Sequence, residues 1–188
     1  MKINLEKRVF IGIPIGRKIK SILPSLKSTV HCSRDIIRWI PPDNIHLTLC
    51  FLGNISDQDI PNIIRTLENC ITFKYFKIII ESTGVFPSPN IPKILWIGIG
   101  KGADDLTSLQ QDIEISVRKF KGIYRREKFM PHITIARIRR SRRKIDVLPF
   151  LNTVYSPIEL DVNSICLYES KLFPEGTQYT LLNAFQIN

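Results

Sequence analysis

No apolar run in this chain approaches the roughly 20 residues that cross a bilayer, and residues 1–7 are charged, without the apolar centre of a secretory signal. Both absences lead to the expectation of a cytoplasmic protein with no membrane partner. Cysteine is sparse. Cys32, Cys50, Cys70 and Cys166 form no Cys-x-x-Cys pair and stand at no metal-ligand spacing from a histidine, which predicts free, mostly buried thiols in a reducing compartment. No carboxylate cluster suggests a divalent-metal site, and no low-complexity linker divides the chain. Acidic residues are in the minority, 17 against 27 Lys and Arg for a net charge of +10. That surplus favours a polyanionic partner, nucleic acid or an acidic membrane surface. Scarcest of all among the residues that do acid–base work is histidine, with three copies: His31, His46 and His132.

What is present is ordinary globular material: 188 residues, 44% hydrophobic and 23% charged, enough to bury a core without disulfides or metals. Residues 8–15 (RVFIGIPI) have strand composition. Ile19, Ile22, Leu23 and Leu26 then recur at helical spacing, with Pro24 starting or kinking that helix. A turn at residues 41–44 (PPDN) releases a strand at 45–52 (IHLTLCFL), ended by Gly53. Residues 57–71 read as a helix with Ile60, Ile63, Ile64 and Leu67 on one face. Strands are expected at 76–86 and 93–99, flanking a loop at 87–90. A helix at 104–120 carries Leu106, Leu109, Ile113 and Val117 on its apolar face. After Pro131 comes a strand at 132–138, then a basic stretch at 139–144. Strands at 158–168 and 178–185 close the chain.

Two of the three histidines share a local frame: His46-Leu47-Thr48-Leu49 and His132-Ile133-Thr134-Ile135. Alternate residues of a strand lie on one face, so each strand should offer an imidazole and a hydroxyl side by side while its aliphatic residues enter the core. The motifs lie 132 − 46 = 86 residues apart, close to half the chain, which suggests a duplication although the halves are otherwise too dissimilar to establish one. Histidine works as acid or base near neutrality. Two histidines therefore supply the base that activates water and the acid that protonates a leaving oxygen in opening a cyclic phosphodiester. Two hydroxyls would stabilise the negative charge on the non-bridging oxygens of the transition state. No cofactor is needed. His31 has no such context and is expected at a helix end or on the surface.

At these residues the sequence resembles the two-histidine phosphoesterase superfamily, and within it the bacterial and archaeal RNA 2′,3′-cyclic phosphodiesterases of the LigT-like group. The resemblance runs through residues 8–14 (RVFIGIP), 38–54 (RWIPPDNIHLTLCFLGN), 84–99 (GVFPSPNIPKILWIGI), 129–137 (FMPHITIAR) and 167–182 (LYESKLFPEGTQYTLL). It implies an α+β fold: two similar lobes of mostly antiparallel sheet with outer helices around a central cleft, one motif per lobe. It implies His46 as general acid, His132 as general base, Thr48 and Thr134 as phosphate ligands, and a product with the phosphate on the 2′ oxygen. Arg137 stands where the family often has arginine and suits phosphate. Strict alternation nevertheless turns it to the Ile133 and Ile135 face, away from the cleft unless the strand bulges.

Phe10, Trp39 and Phe129 are expected in the core, with base stacking as the alternative. Cys50 falls on the face of His46 and Thr48 by periodicity, with packing as its role. Arg125, Arg126 and Lys128 precede the second motif, and Arg139, Arg140, Arg142, Arg143 and Lys144 follow it; this density favours RNA backbone contact. The expected protein is one two-lobed domain spanning residues 1–188, monomeric, acting on RNA ends or nucleotides bearing a 2′,3′-cyclic phosphate. The rival readings are a 2′–5′ RNA ligase, a phosphodiesterase of 2′–5′ oligonucleotides or small cyclic nucleotides, and a non-catalytic RNA-binding module.

Overall fold

The computed structural model describes residues 6–33, 36–70, 74–120, 128–139, 145–174 and 176–187. Its elements in chain order are β1 (Glu6–Pro14), α1 (Leu23–Ser28), β2 (Ile37–Trp39), β3 (His46–Ser56), α2 (Ile60–Cys70), β4 (Phe76–Phe86), β5 (Ile94–Ile99), α3 (Ala103–Val117), β6 (His132–Ile138), α4 (Leu148–Leu151), β7 (Ile158–Val162), β8 (Ser164–Phe173) and β9 (Gly176–Gln186). The helices follow their apolar stripes. Leu106, Leu109, Ile113 and Val117 are all buried on α3, whose first turn carries Asp104 and Asp105 against the positive end of the helix. Ile63 and Leu67 are buried on α2, and Pro24 sits in the first turn of α1, where its missing N–H costs nothing.

All strand pairings are antiparallel, and the sheet runs β7-β4-β5-β6-β3-β1-β8-β9, with β2 added to β6. The two halves of the sheet meet in the middle of this order, where β3 and β6 share a single residue pair, Leu47 opposite Ile133. Helices α2 and α3 pack together, and α3 packs on β3, so the apolar side of the sheet is closed by helices.

The expected strand at 158–168 is two strands. It breaks at Asn163: β7 pairs with β4 in one half of the sheet, while β8 pairs with β1 in the other. One residue thus links strands six places apart in the sheet order, so the sheet curls until its β7 edge returns beside β8. The backbone of Asn163 is held there by the Ile187 N–H, which donates to its carbonyl at 2.7 Å. Two short elements, β2 and α4, had no sequence signal of their own.

Candidate active site

Strand β3 begins at His46 and β6 at His132. In both, alternation holds through the motif. Leu47 and Ile133 are fully buried, Leu49 and Ile135 nearly or fully so, while the two histidines and Thr48 and Thr134 are half-buried on the opposite face. Continuing the Leu47–Ile133 register by one residue each way sets His46 opposite Thr134 and Thr48 opposite His132. The four side chains therefore share one patch at the seam between the halves of the sheet.

Each imidazole is fixed in the same manner. His46 Nδ1 lies 2.8 Å from the carbonyl of Asn44, and His132 Nδ1 lies 2.7 Å from that of Met130, two residues back in each case. A carbonyl only accepts, so each Nδ1 carries the proton and each Nε2 is left for chemistry. Each ring also meets the edge of an aromatic at right angles: Tyr179 against His46 and Phe86 against His132, both at 5.0 Å and 89°. Beneath His46, Gly12 of β1 makes room. A Cβ there would stand 3.4 Å from His46 Cδ2 and 2.8 Å from the Leu47 carbonyl oxygen. Trp96, paired with Thr134, lies across Gly84 on the other side of the seam, where a Cβ would fall 2.1 Å from its ring.

Burial pushes the pKa of both histidines below the usual 6.5, against the opposing pull of their backbone carbonyl partners. The Arg137 guanidinium lowers both further, and His132 adds to the effect on His46. Tyr168 and Tyr179 are pushed up by burial and stay protonated.

The influence of Arg137 on both rings follows from a bulge. On β6, Thr134 pairs with Trp96 and Ala136 with Leu95, so Ile135 is an extra residue. Beyond it the faces exchange: Ala136 is buried and Arg137 exposed. This satisfies the condition that strict alternation set for Arg137 to reach the cleft. The same bulge occurs at the same place in the first motif. Thr48 pairs with Gly12 and Cys50 with Ile11, leaving Leu49 extra. Cys50 consequently does not share the face of His46 and Thr48, as periodicity had it. It is buried at 3% exposure, with its thiol 3.6 Å from a Glu114 carboxylate oxygen, and Phe51 takes the cleft side.

The remaining candidates divide. Phe10 is on the cleft side of β1 but only 2% exposed, beneath His46 (4.7 Å), Tyr168 (5.2 Å) and Tyr179 (5.0 Å); it is flooring and has no free face for a base. Trp39 and Phe129 pack on the core. His31 and Lys128 are exposed, as is Arg139 just past the end of β6. Arg125, Arg126, Arg140, Arg142, Arg143 and Lys144 lie outside the described residues. Sequence reasoning missed Gly12, Phe51, Phe86, Trp96, Tyr168 and Tyr179. The one available signal was period two on the neighbouring strands, which places Gly12 with Phe10 and Phe86 with Gly84.

Comparison with known proteins gives three findings. A family model described as LigT like phosphoesterase matches the chain twice, over residues 13–96 and 97–179, one His-x-Thr strand in each segment. An RNA 2′,3′-cyclic phosphodiesterase of Aquifex aeolicus is 33% identical over 186 residues, covering 96% of this chain and 97% of that protein. The protein of the same name from Archaeoglobus fulgidus is 30% identical over 180 residues, covering 95% and 99%. Among solved structures, a Thermus thermophilus protein superposes with a TM-score of 0.78 at 24% identity, covering 96% of this chain and 97% of that one. E. coli LigT complexed with 3′-AMP gives 0.73 at 20%, covering 97% and 99%.

Proposed function

The chain belongs to the LigT-like phosphoesterase family, and from that premise we infer that it is an RNA 2′,3′-cyclic phosphodiesterase working by two-histidine acid–base catalysis. The observation that carries the mechanism is the matched pair of imidazoles. Both have Nδ1 committed to a backbone carbonyl, leaving two Nε2 atoms for the cleft, each set across the seam from a threonine hydroxyl.

In the proposed reaction the cyclic phosphate sits between the halves. Thr48 and Thr134 donate to its non-bridging oxygens, and Arg137 neutralises part of the charge. Neutral His132 accepts a proton from water at Nε2 as the water oxygen bonds to phosphorus. The P–O3′ bond breaks, and protonated His46 gives its Nε2 proton to O3′, leaving a 2′-phosphomonoester. In the free protein both imidazoles resist protonation, for the reasons given. A bound phosphodiester anion reverses the sign of the local field, which raises His46 into its working state when substrate arrives.

A chain of net charge +10 suits an RNA end better than an uncharged ester, and a sequence with only four cysteines, none in a Cys-x-x-Cys pair, accords with a cytoplasmic setting. The test is incubation with RNA ending in a 2′,3′-cyclic phosphate, with EDTA present, and identification of the product by phosphorus NMR. Conversion to the 2′-phosphate is expected. An intact cyclic phosphate, or conversion only on adding a divalent ion, would overturn the reading.

A further inference from the structure

The cleft face of the first half continues outward from the catalytic patch in steps set by β1. Both extra residues of the β1–β3 pairing fall on β3, so β1 itself alternates without interruption. Gly12, opposite Thr48 and beneath His46, belongs to the catalytic row. Phe10, under His46 and against Tyr168, forms the next. Arg8 forms the third. It stands opposite Asn54 on β3, and continuing the Val9–Glu169 pair by one residue sets it opposite Ser170 on β8, which is paired with Tyr179 on β9. A polar row of Asn54, Arg8, Ser170 and Tyr179 thus crosses the floor beyond the aromatic one. Arg8 and Asn54 are exposed, and Ser170 and Tyr179 half-buried. Among the described residues Arg8 enters no ion pair, whereas on the opposite face Lys7 is held by Asp57 at 2.8 Å and Lys171 by Glu169 at 3.4 Å. Glu6, the other charged residue on the cleft face of β1, lies a step further out, opposite Ser56. The charge of Arg8 also reaches the site. Arg8 and Arg137 both favour ionised Tyr179, against the burial that keeps the phenol protonated, and the Tyr179 ring meets His46 at 5.0 Å. Tyr179 therefore lies in the field of two guanidinium groups, one beside the catalytic rings and one on the outer row.

We propose that Arg8, with Asn54 and Ser170 beside it, binds the phosphate on O5′ of the terminal nucleotide and so selects RNA ends over free cyclic nucleotides. This rests on the cyclic phosphodiesterase reading above. Arg8 stands four residues from Gly12, about 13 Å along the strand, a gap that one nucleotide and an arginine side chain span together. Ribose and nucleobase carry no net charge. The next anion from the cyclic phosphate along an RNA chain is the phosphodiester on O5′ of the same nucleotide. A guanidinium offers paired N–H donors to two phosphate oxygens, and the Asn54 amide and Ser170 hydroxyl add neutral donors. This phosphate takes no part in bond breaking, so it is held equally in the ground and transition states. Its contribution therefore falls on KM and leaves kcat unchanged.

The experiment measures kcat and KM of wild type, Arg8→Gln and Arg8→Lys on adenosine 2′,3′-cyclic monophosphate, on the same nucleotide with a 5′-phosphate, and on two ApA dinucleotides ending in a 2′,3′-cyclic phosphate. One dinucleotide has the natural linkage and the other a neutral methylphosphonate. In wild type the two substrates with a charged O5′ phosphate should have a KM about tenfold below the other two, the scale of one charge-assisted contact, with kcat alike. Arg8→Gln should abolish that difference by raising KM for the charged pair alone, and Arg8→Lys should keep part of it. A methylphosphonate dinucleotide with as low a KM as the natural one, or an equal loss on all substrates in Arg8→Gln, would overturn the proposal while leaving the enzyme's activity standing. An advantage for the 5′-phosphorylated mononucleotide without one for the natural dinucleotide would overturn the selection of RNA ends. Inactivity of the wild type on every substrate would instead remove the activity on which the proposal rests.

Discussion

Gly12 gives the sharpest handle on His46, because it acts through space alone. It lies in extended strand, outside the glycines of positive φ, so alanine adds no backbone strain and its effect is that of one methyl group. That methyl would sit 2.8 Å from the Leu47 carbonyl oxygen, 0.6 Å inside the 3.4 Å of an ordinary contact, and touch His46 Cδ2 at 3.4 Å. Gly12 is also the register partner of Thr48. Strand β3 must therefore withdraw by about half an ångström, carrying the imidazole and the hydroxyl with it. A 1 Å misplacement of a catalytic group costs on the order of 100-fold, so Gly12→Ala should lower kcat about tenfold, with an overpacking cost of about 1–3 kcal/mol in stability. The control is Gly53→Ala on the same strand, where the methyl meets open space but φ is +81°. It should cost about 1–2 kcal/mol in stability and leave kcat alone. Urea melts with turnover of a cyclic mononucleotide measure both. Wild-type kcat in Gly12→Ala, or equal losses in the two variants, would show that the close approach beneath His46 does not position it.

Replacement of His46 or His132 by alanine should each reduce turnover by at least about 100-fold, the scale of losing an acid or base, with the circular dichroism of the folded protein retained; near-normal turnover in either would end the two-histidine mechanism. Because both pKa values lie below 6.5, the singly protonated pair is commonest on the acid side of 6.5, and kcat/KM should peak there while kcat, measured with the anion bound, peaks at higher pH. Removing the cation in Arg137→Gln should raise both pKa values and move the kcat/KM optimum upward; an optimum that stays put or falls would deny Arg137 its place beside the rings. The same depressed pKa values make the neutral rings the stable folded form, so their contribution is complete above about pH 6.5 and is lost as pH falls through the folded values, readable as a melting temperature that falls less with acid in His46→Ala. Outside the described residues, Arg142→Ala with Arg143→Ala should flatten the salt dependence of RNA binding by roughly one unit of slope without slowing a cyclic mononucleotide; identical slopes would make the segment a solvated loop.

Much of this molecule was legible because its strands obey simple alternation. The two motifs, the buried faces of α2 and α3, and the bounds of β4 and β6 follow from spacing alone. The errors of facing have one physical origin. A bulge inserts a residue without any composition mark, since Leu49-Cys50 and Ile135-Ala136 are apolar in either register. Counting by two therefore turned Cys50 the wrong way and left Arg137 dependent on a condition the sequence could not meet or refuse. Phe86, Trp96, Tyr168 and Tyr179 were equally hidden, because an aromatic lining a cleft has the composition of one filling a core. The break at Asn163 lacked the Gly or Pro that marks a turn, since the chain there only changes partner and hardly changes direction.

The repeated bulge also bears on ancestry. Each half of the chain matches the same family model separately, and each carries its irregularity at the third residue after the histidine. An irregularity shared at one position is most simply inherited from one half-length forebear. Such a half, with one imidazole and one hydroxyl, could complete a site only by pairing with its own copy across a two-fold axis. In that dimer every gene change would have struck both sides at once, and acid and base would have stayed interchangeable. Within a single chain each side is free to differ, and the two flanks do: Arg137 stands on one and Phe51 on the other.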